Sequence, residues 1–369
     1  MRITDVRLTR LHGSIPQRMT VVEERSVGPL DLFPEFRAQG VQPAEATDAL
    51  VPISAVYVEI DTQEGITGVF GPIFESQAYH IARQLRPLLL GRDPLEGQLL
   101  WELMARSDRH TRRGQQMMAI SAVDIALWDL RGKEAGKPVY RLLGGPTRET
   151  VPAYASALGY SLEPQRVRER ATALREAGFR AQKWFFRYGP ASGREALSQN
   201  MLLVETLRET LGDGSDLMFD AWMGWDGPFA IEMGQRMAPY HPRWLEEPVG
   251  PDRIGAYAEI RRRAGIPIAG GEHEYTRWGF KPLLDAEGID VVQADPDWTG
   301  GITELVKICA MVAVYGKQVI PHGHSVLPAL QVVASQPASV CPLLEFLLAF
   351  NPSKQWFHEA YVGPGGGMV

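Results

Sequence analysis

Three acidic residues at equal spacing constrain the fold of this chain more than any other feature. Asp220, Glu246 and Glu272 follow one another at intervals of 26 residues, and each lies at the end of a short apolar run. A strand, a loop, a helix and a second loop of a parallel β/α unit take up about this length. Three successive units would aim three carboxylates at one point, where mutual repulsion makes a hard divalent cation the natural partner.

The same alternation of short apolar runs and helical patterns extends on both sides of the three acids. From Val151 onwards short apolar runs recur with helical patterns between them, and they predict strands at 151–156, 181–186, 216–221, 243–247, 266–271, 290–294, 317–321 and 343–348. Eight strands that alternate with helices favour a closed barrel of the (β/α)8 kind over an open sheet. In such barrels the chemistry lies at the carboxyl ends of the strands.

The chain before the barrel has a different organisation. Residues 1–125 show strand patterns first and helical patterns afterwards, which predicts an α+β capping domain. Within it, residues 16–50 lack a clear period and contain several prolines, and a loop of this length is expected to act as a lid. The barrel is predicted to span 126–350, and the glycine-rich tail 351–369 to be extended or loose.

Composition excludes several classes of protein. The net charge of −6 over 369 residues provides no basic surface for nucleic acid. No apolar run approaches the length of about 18 residues that a membrane span needs, and the N-terminus has no apolar signal core. The two cysteines, Cys309 and Cys341, form no CxxC motif and are expected to be buried free thiols in a reducing compartment. These features predict a cytoplasmic protein with no membrane partner.

Other predicted strand ends also carry charged or titratable side chains that can take part in catalysis. Lys183, Asp295, His322 and Glu345 belong to the second, sixth, seventh and eighth barrel runs. A single acid at a strand end more often caps a helix, but repetition at six or seven consecutive strand ends favours a site. Asp295 and His322 lie on neighbouring strands, where an Asp that accepts from one imidazole nitrogen raises the basicity of the other. His322 is therefore a candidate general base.

Four further assignments are less direct. Lys183 is expected across the barrel mouth from His322, where a nearby cation would lower its pKa and suit it to proton transfer or to a substrate carboxylate. His273 and His324 each lie close to a stronger candidate and are possible pocket residues. The strand pleat turns Glu247 away from its neighbour Glu246, which predicts a supporting role rather than metal ligation.

Two segments between the cap and the barrel point to a family. The runs 121–128 (SAVDIALW) and 137–145 (KPVYRLLGG) resemble the interdomain helix and the join of the enolase superfamily, mandelate racemase-like group. This resemblance implies a small N-terminal domain over a modified (β/α)7β barrel, which replaces the plain eightfold barrel. It also implies site roles: Mg²⁺ ligands at Asp220, Glu246 and Glu272, a base dyad at Asp295 and His322, and the last-strand acid at Glu345.

Within this group the chain is most similar to the acid-sugar dehydratases of the L-rhamnonate dehydratase type. The similarity is carried by the runs 271–273 (GEH) and 321–323 (PHG). It implies a Mg²⁺-dependent dehydratase that abstracts the proton beside the carboxylate of a sugar acid and eliminates water to give a 2-keto-3-deoxy acid. Lys183 and Glu345 would hold the carboxylate end of the substrate. Since members often associate, a homo-oligomer is expected.

Two other functions stay open. A racemase or epimerase of a 2-hydroxy carboxylate would use His322 on one face and Lys183 on the other. The family's Lys-x-Lys pair is missing, because Phe185 stands at the second position, and this argues against a two-lysine racemase. A barrel that binds a metal-carboxylate ligand without turning it over is the other alternative, although binding alone needs no Asp–His base.

Overall fold

The barrel has the predicted eight parallel strands. The computed structural model describes residues 1–17, 22–37, 47–349 and Lys354, and it therefore covers the barrel strands completely. The hydrogen-bonded strand order is β10-β9-β8-β7-β6-β5-β4-β11, with every pair parallel. The strands are β4 (Ala153–Ser156), β5 (Ala181–Phe185), β6 (Asp216–Asp220), β7 (Trp244–Glu246), β8 (Ile268–Gly270), β9 (Val291–Val292), β10 (Gln318–Val319) and β11 (Leu344–Leu347).

One helix connects each strand to the next. These helices are α7 (Pro164–Glu176), α8 (Ala196–Leu211), α9 (Gly227–Met237), α10 (Ile254–Arg263), α11 (Thr276–Asp285), α12 (Gly301–Val314) and α13 (Val326–Ser335). Between residues 153 and 347, all of which the structure describes, seven α-helices thus separate eight strands. The modified (β/α)7β barrel is confirmed, and every predicted barrel strand is present within its predicted limits.

A three-stranded antiparallel sheet forms the predicted cap. Its strands are β1 (Ile3–Pro16), β2 (Leu50–Thr62) and β3 (Thr67–Ile73), in that order. β1 extends to the start of the predicted lid, because its pairing with β2 continues to Pro16 opposite Leu50. The helices after the sheet are α2 (Glu75–His80), a π-helical segment (Ile81–Leu85), α3 (Arg86–Leu89) and α4 (Gly97–Arg106).

The predicted lid is only partly described. Its two ends belong to β1 and β2, and its middle contains a 3-10 turn (Pro29–Leu32) and the short helix α1 (Pro34–Arg37). The amide of Val27 donates to the carbonyl of Phe186, and that of Glu23 donates to Gly159, at 2.8 and 2.7 Å. The segment therefore lies against the loops that follow β4 and β5, at the carboxyl ends of the strands. Residues 18–21, 38–46 and most of the tail 351–369 lie outside the described residues.

A long helix joins the cap to the barrel. This helix, α5 (Gln115–Ala135), is followed by the short α6 (Val139–Leu142). Asp129 of α5 accepts a hydrogen bond from the Val69 amide of β3 at 2.7 Å, and Asp124 accepts two from Thr303 of α12. The predicted domain boundary between residues 125 and 126 falls inside this helix, which packs on both sides and so carries apolar residues all round. The boundary stays a prediction.

The two cysteines are buried free thiols, as predicted. Cys309 on α12 and Cys341 before β11 have their sulfur atoms 3.7 Å apart. Within the described ranges, no helix combines the length and the apolar character that crossing a bilayer requires. The cytoplasmic location stays a prediction.

Candidate active site

A buried lysine lies at the centre of the carboxylates. The Lys183 Nζ atom is 3.2 Å from Asp220 Oδ2 and 2.9 Å from Glu345 Oε1, and it donates a short hydrogen bond to Glu246. The second oxygen of Glu246 accepts from the Trp244 indole at 2.8 Å. The side chain of Lys183 is 1% exposed. The ends of β5, β6, β7 and β11 therefore bring one cation and three acids together.

The third predicted metal ligand has different neighbours. Among the described residues, Glu247, Glu272 and His273 form a group in which one ligand atom from each lies within 4.8 Å of the others. His273 Nδ1 is 3.0 Å from Glu247 Oε2 and 3.8 Å from Glu272 Oε1. Both acids are almost fully buried, whereas His273 keeps partial exposure. Asp220, Glu246 and Glu272 thus line the same end of neighbouring strands, but the first two face Lys183 and the third faces His273.

The predicted Asp–His pair is formed. His322 Nδ1 is 2.6 Å from Asp295 Oδ2, which leaves Nε2 directed to the centre of the site, 3.7 Å from Glu272 Oε2. A buried carboxylate on Nδ1 fixes the tautomer and the ring orientation. The geometry matches that expected of a general base beside a metal ligand.

A second Asp–His pair lies next to the first. His324 Nδ1 is 2.7 Å from Asp297 Oδ2, which also accepts from the Ser325 hydroxyl. The Trp298 ring contacts the imidazoles of His322, His324 and His273, with centroid distances of 4.8, 5.2 and 5.7 Å. The expected pocket residues His273 and His324 therefore share an aromatic wall with the candidate base.

The acids carry strongly perturbed pKa values because they are buried together. Burial raises the pKa of Asp220 to about 6 and that of Glu272 to about 7, although Lys183 and His322 respectively oppose the shift. The pKa of Glu345 is lowered to about 2, because Lys183 and His322 more than offset its burial. Burial acts to lower the pKa of His322, but Glu272 and Asp295 raise it to about 10.

The environment of Lys183 differs from the sequence-based expectation. Burial acts to lower its pKa, but Glu246, Glu345 and Asp220 together raise the pKa well above the usual value. The ammonium is enclosed by carboxylates, and its role in proton transfer or in binding a substrate carboxylate stays a prediction. In the arrangement described, it forms ion pairs with Asp220, Glu246 and Glu345.

The donor set fits a hard divalent cation. Burial is the main cause of the raised pKa values of Asp220 and Glu272, and the nearby Lys183, His273 and His322 lower them only in part. Carboxylate oxygens are the ligands that Mg²⁺ prefers. The chemistry and burial of the residues present are therefore compatible with Mg²⁺ at this end of the barrel.

Sequence reasoning underestimated three residues of the site. Glu247 was expected to point away, but β7 ends at Glu246 and Glu247 adopts a left-handed backbone with φ 38°, so strand alternation no longer applies. No motif in the sequence assigns a role to Asp297 or Trp298. Asp297 and His324 are separated by 27 residues, as are Asp295 and His322, and this repeated spacing was the signal that could have revealed the second pair.

Comparison with known proteins places the chain in a family. Residues 41–144 match the mandelate racemase / muconate lactonizing enzyme, N-terminal domain, and residues 166–365 match the family described as enolase C-terminal domain-like. The chain belongs to this mandelate racemase and muconate lactonizing enzyme family of the enolase superfamily. An L-rhamnonate dehydratase from Saccharopolyspora erythraea is 34% identical over 331 residues, which cover 89% of this chain and 80% of the relative.

Solved structures agree with this assignment. A rhamnonate dehydratase from Gibberella zeae complexed with Mg has a TM-score of 0.80 and 28% sequence identity, over 94% of this chain and 83% of that one. A racemase from Streptomyces coelicolor A3(2) with bound magnesium has a TM-score of 0.75 and 29% identity, over 93% and 91% of the two chains. The family resemblance inferred from the sequence is confirmed.

Proposed function

We propose that the protein is a Mg²⁺-dependent dehydratase of a sugar acid, converting an aldonate into a 2-keto-3-deoxy acid. The observation that carries this proposal is the Asp295–His322 pair, whose free Nε2 faces Glu272 at 3.7 Å. A base placed beside the carboxylates that would hold the metal can reach the proton next to a metal-bound substrate carboxylate. Because relatives are named L-rhamnonate dehydratase, six-carbon aldonates are the substrates to test, beginning with L-rhamnonate.

The metal would be held at the acidic end of the barrel. Asp220, Glu246 and Glu272 are the ligands that the family resemblance implies, with Glu247 and His273 beside Glu272. When bound, Mg²⁺ stabilises the negative charge that develops on the substrate carboxylate during proton abstraction.

The chain's own residues account for the remaining chemistry. Asp295 holds His322 in orientation, and His322 removes the proton from the carbon next to the carboxylate. Glu345 accepts from the Gly323 amide at 2.9 Å and so supports the loop that carries His322. The burial of this site excludes water and strengthens every electrostatic interaction within it. The 3-hydroxyl group then leaves as water, which yields the 2-keto-3-deoxy product after the enol rearranges.

The position of Lys183 argues against the racemase alternative. A two-base racemase needs a second group that accepts a proton on the face opposite His322. Lys183 is enclosed by Asp220, Glu246 and Glu345, and its ion pairs with these three carboxylates occupy the ammonium group. A dehydratase with His322 as its base needs no such second acceptor.

The decisive experiment is a product assay with a base variant. The purified protein with Mg²⁺ is incubated with L-rhamnonate and a panel of five- and six-carbon aldonates, and 2-keto-3-deoxy product is measured. We expect His322→Asn to lower kcat by about 10²–10⁴, the usual contribution of a positioned general base. His12→Asn, on the exposed surface of β1, is the matched control and should retain the wild-type rate.

Two results would contradict the proposal. One is a wild-type protein that exchanges the C2 hydrogen with solvent without losing water, which indicates a racemase or epimerase. The other is a His322→Asn protein that forms product at the wild-type rate, which removes the base assignment.

A further inference from the structure

The second Asp–His pair has no role in the chemistry described so far. Asp297 and His324 repeat the arrangement of Asp295 and His322, with a carboxylate oxygen 2.7 Å from Nδ1 and the same separation in the chain. Dehydration needs two proton transfers on adjacent carbons, one from C2 and one to the oxygen leaving C3. We propose that His324, oriented by Asp297, is the acid that protonates the departing 3-hydroxyl group. This inference rests on the proposed dehydratase function.

The imidazole of His324 is fixed in a way that suits a proton donor. Asp297 is 2% exposed and accepts from both His324 Nδ1 and the Ser325 hydroxyl, so its carboxylate has a defined position. A carboxylate on Nδ1 fixes the orientation of the ring and leaves Nε2 as the nitrogen that can exchange a proton with a ligand. Among the described residues, Nε2 of His324 has no hydrogen-bond partner and is free to meet a ligand.

The charge on Asp297 is maintained despite its burial. Burial acts to raise its pKa, but the hydrogen bond from His324 and the charges of His324 and Lys354 hold the pKa below the usual value. Lys354 also donates a hydrogen bond to the backbone carbonyl of His324. The pair therefore consists of an ionised carboxylate hydrogen-bonded to an imidazole.

The location of His324 fits a group that acts beyond C2. Its ring and that of His322 contact the same Trp298 indole, so both imidazoles belong to one wall of the site. His324 also packs against Phe74 of the cap, at a centroid distance of 5.5 Å. His322 faces Glu272 and the expected metal position, whereas His324 faces the junction with the cap. A substrate whose carboxylate lies at the metal would extend its carbon chain towards that junction.

The proposed step conserves atoms and charge. His322 Nε2 takes the C2 proton, and the electron pair that remains forms a C2–C3 double bond while the C3–O bond breaks. His324 Nε2 gives its proton to the departing oxygen, so water leaves and His324 becomes neutral. The enol product then gains a proton at C3 and loses one from its 2-hydroxyl group, which yields the 2-keto-3-deoxy acid without a redox change.

Deuterium exchange separates the acid from the base. His324→Asn and His322→Asn holoenzymes with Mg²⁺ are incubated in D2O with the aldonate that the wild type dehydrates fastest, and the C2–H signal and the keto product are followed by NMR. We expect His324→Asn to exchange the C2 hydrogen while dehydration falls at least about 10²-fold. His322→Asn should lose both reactions. Retained exchange also shows that the His324 variant is folded and binds metal and substrate.

A better leaving group provides the sharper test. Fluoride leaves without needing a proton transfer of the kind that hydroxide needs, so His324→Asn should release fluoride from the 3-deoxy-3-fluoro analogue within a few-fold of the wild-type rate. Asp297→Asn should reproduce the His324 pattern more weakly, as expected of a positioning residue. Asp295→Asn is the matched control and should instead lose exchange, because it positions His322.

The outcomes distinguish this inference from the proposed function. If the wild type dehydrates an aldonate and His324→Asn does so equally fast, the acid assignment is wrong and the dehydratase function stands. The acid assignment is also wrong if exchange and fluoride release fall as far as dehydration in His324→Asn. If the wild type dehydrates no aldonate, both the proposed function and this inference are refuted.

Discussion

Buried carboxylates occur at the barrel mouth and at the junction between α5 and α12. The two regions differ in the hydrogen-bond donors that surround these carboxylates. At the junction, both oxygens of Asp124 accept hydrogen bonds from Thr303, at 2.9 and 2.6 Å. At the mouth, Glu272 accepts no hydrogen bond from the described residues, and its nearest ring nitrogens, in His322 and His273, are 3.7 and 3.8 Å away. Burial raises the pKa of Asp124 to about 6 and that of Glu272 to about 7.

The difference separates a structural carboxylate from a functional one. Asp124 has neutral donors for both oxygens, so it fastens α5 to the barrel without a cation. Glu272 has oxygens available and too little positive charge around it, which is the condition for binding a divalent ion. Burial alone therefore does not separate these two carboxylates, whereas the lack of hydrogen-bond donors to Glu272 does.

Among the substitutions that test the difference between Asp124 and Glu272, a change at Glu272 should have the largest effect, and this effect is on Mg²⁺ affinity. Glu272→Gln should weaken Mg²⁺ binding at least about 10²-fold, since loss of even an indirect partner of a metal ligand costs about 10–100-fold. The metal-free protein should not become less stable, because a buried charge without donors is removed. Isothermal titration with Mg²⁺ and urea denaturation measure the two quantities.

The nearby Glu274 provides the matched control for that substitution. Its carboxylate is buried beside Arg113, at 3.4 Å, on the loop that carries Glu272. Glu274→Gln should leave Mg²⁺ affinity within about twofold. Equal losses in the two variants would show that the affinity depends on the loop and not on the Glu272 carboxylate.

The pH dependence of Mg²⁺ binding should sharpen the comparison. Metal ions compete with protons for Asp220, with a pKa of about 6, and Glu272, with a pKa of about 7. Both pKa values lie above those of the unfolded chain, so the metal-free protein loses stability as pH rises through them, while its affinity for Mg²⁺ increases. Between pH 7.5 and 5.5 the affinity should fall on the order of 10²-fold.

Two measurements check this expectation. Titration calorimetry at several pH values gives the affinity, and the melting temperature with and without Mg²⁺ gives the stability. The stabilisation by Mg²⁺ should grow with pH over this range. An affinity that is flat between pH 5.5 and 7.5 would mean that both acids are already ionised at pH 5.5, which contradicts their raised pKa values.

A change at the junction should have the smallest effect and leave the chemistry intact. Thr303→Val keeps the side-chain shape but removes the hydroxyl that donates to Asp124 and accepts from the Trp128 indole at 2.9 Å. The unfolding free energy should fall by about 1–3 kcal/mol, the cost of a buried polar group left without its partner. Urea denaturation measures it, and Mg²⁺ affinity and kcat should stay within twofold. A large loss of kcat at unchanged stability would instead connect this junction to catalysis.

Much of the fold was predictable because strand and helix periods are local properties. The apolar runs placed all eight barrel strands, and the acids at the ends of β6 and β7 were located before any contact was known. The Asp295–His322 contact was also predicted, since the ends of adjacent parallel strands meet at one edge of the barrel. The metal and catalytic roles of these residues remain predictions.

Other features depended on information that a local pattern does not contain. One example is the helical segment around Pro87: the π-helical turn Ile81–Leu85 precedes α3 and places the proline in the first turn of α3, where a missing N–H costs little. The predicted lid, residues 16–50, overlaps the ends of β1 and β2. Only the pairing of these two strands shows how far each one extends.

By itself the sequence determined a capped barrel with acids and a histidine at its strand ends, because the alternation of strand and helix sets which residues reach the mouth. Only the tertiary structure decided that Lys183 lies among the carboxylates, that Glu247 turns inward and that His324 pairs with Asp297. The direction of a long side chain, a left-handed backbone after a strand and the partner on a neighbouring loop all depend on the packing of distant segments. That packing is also what leaves Glu272 buried without donors.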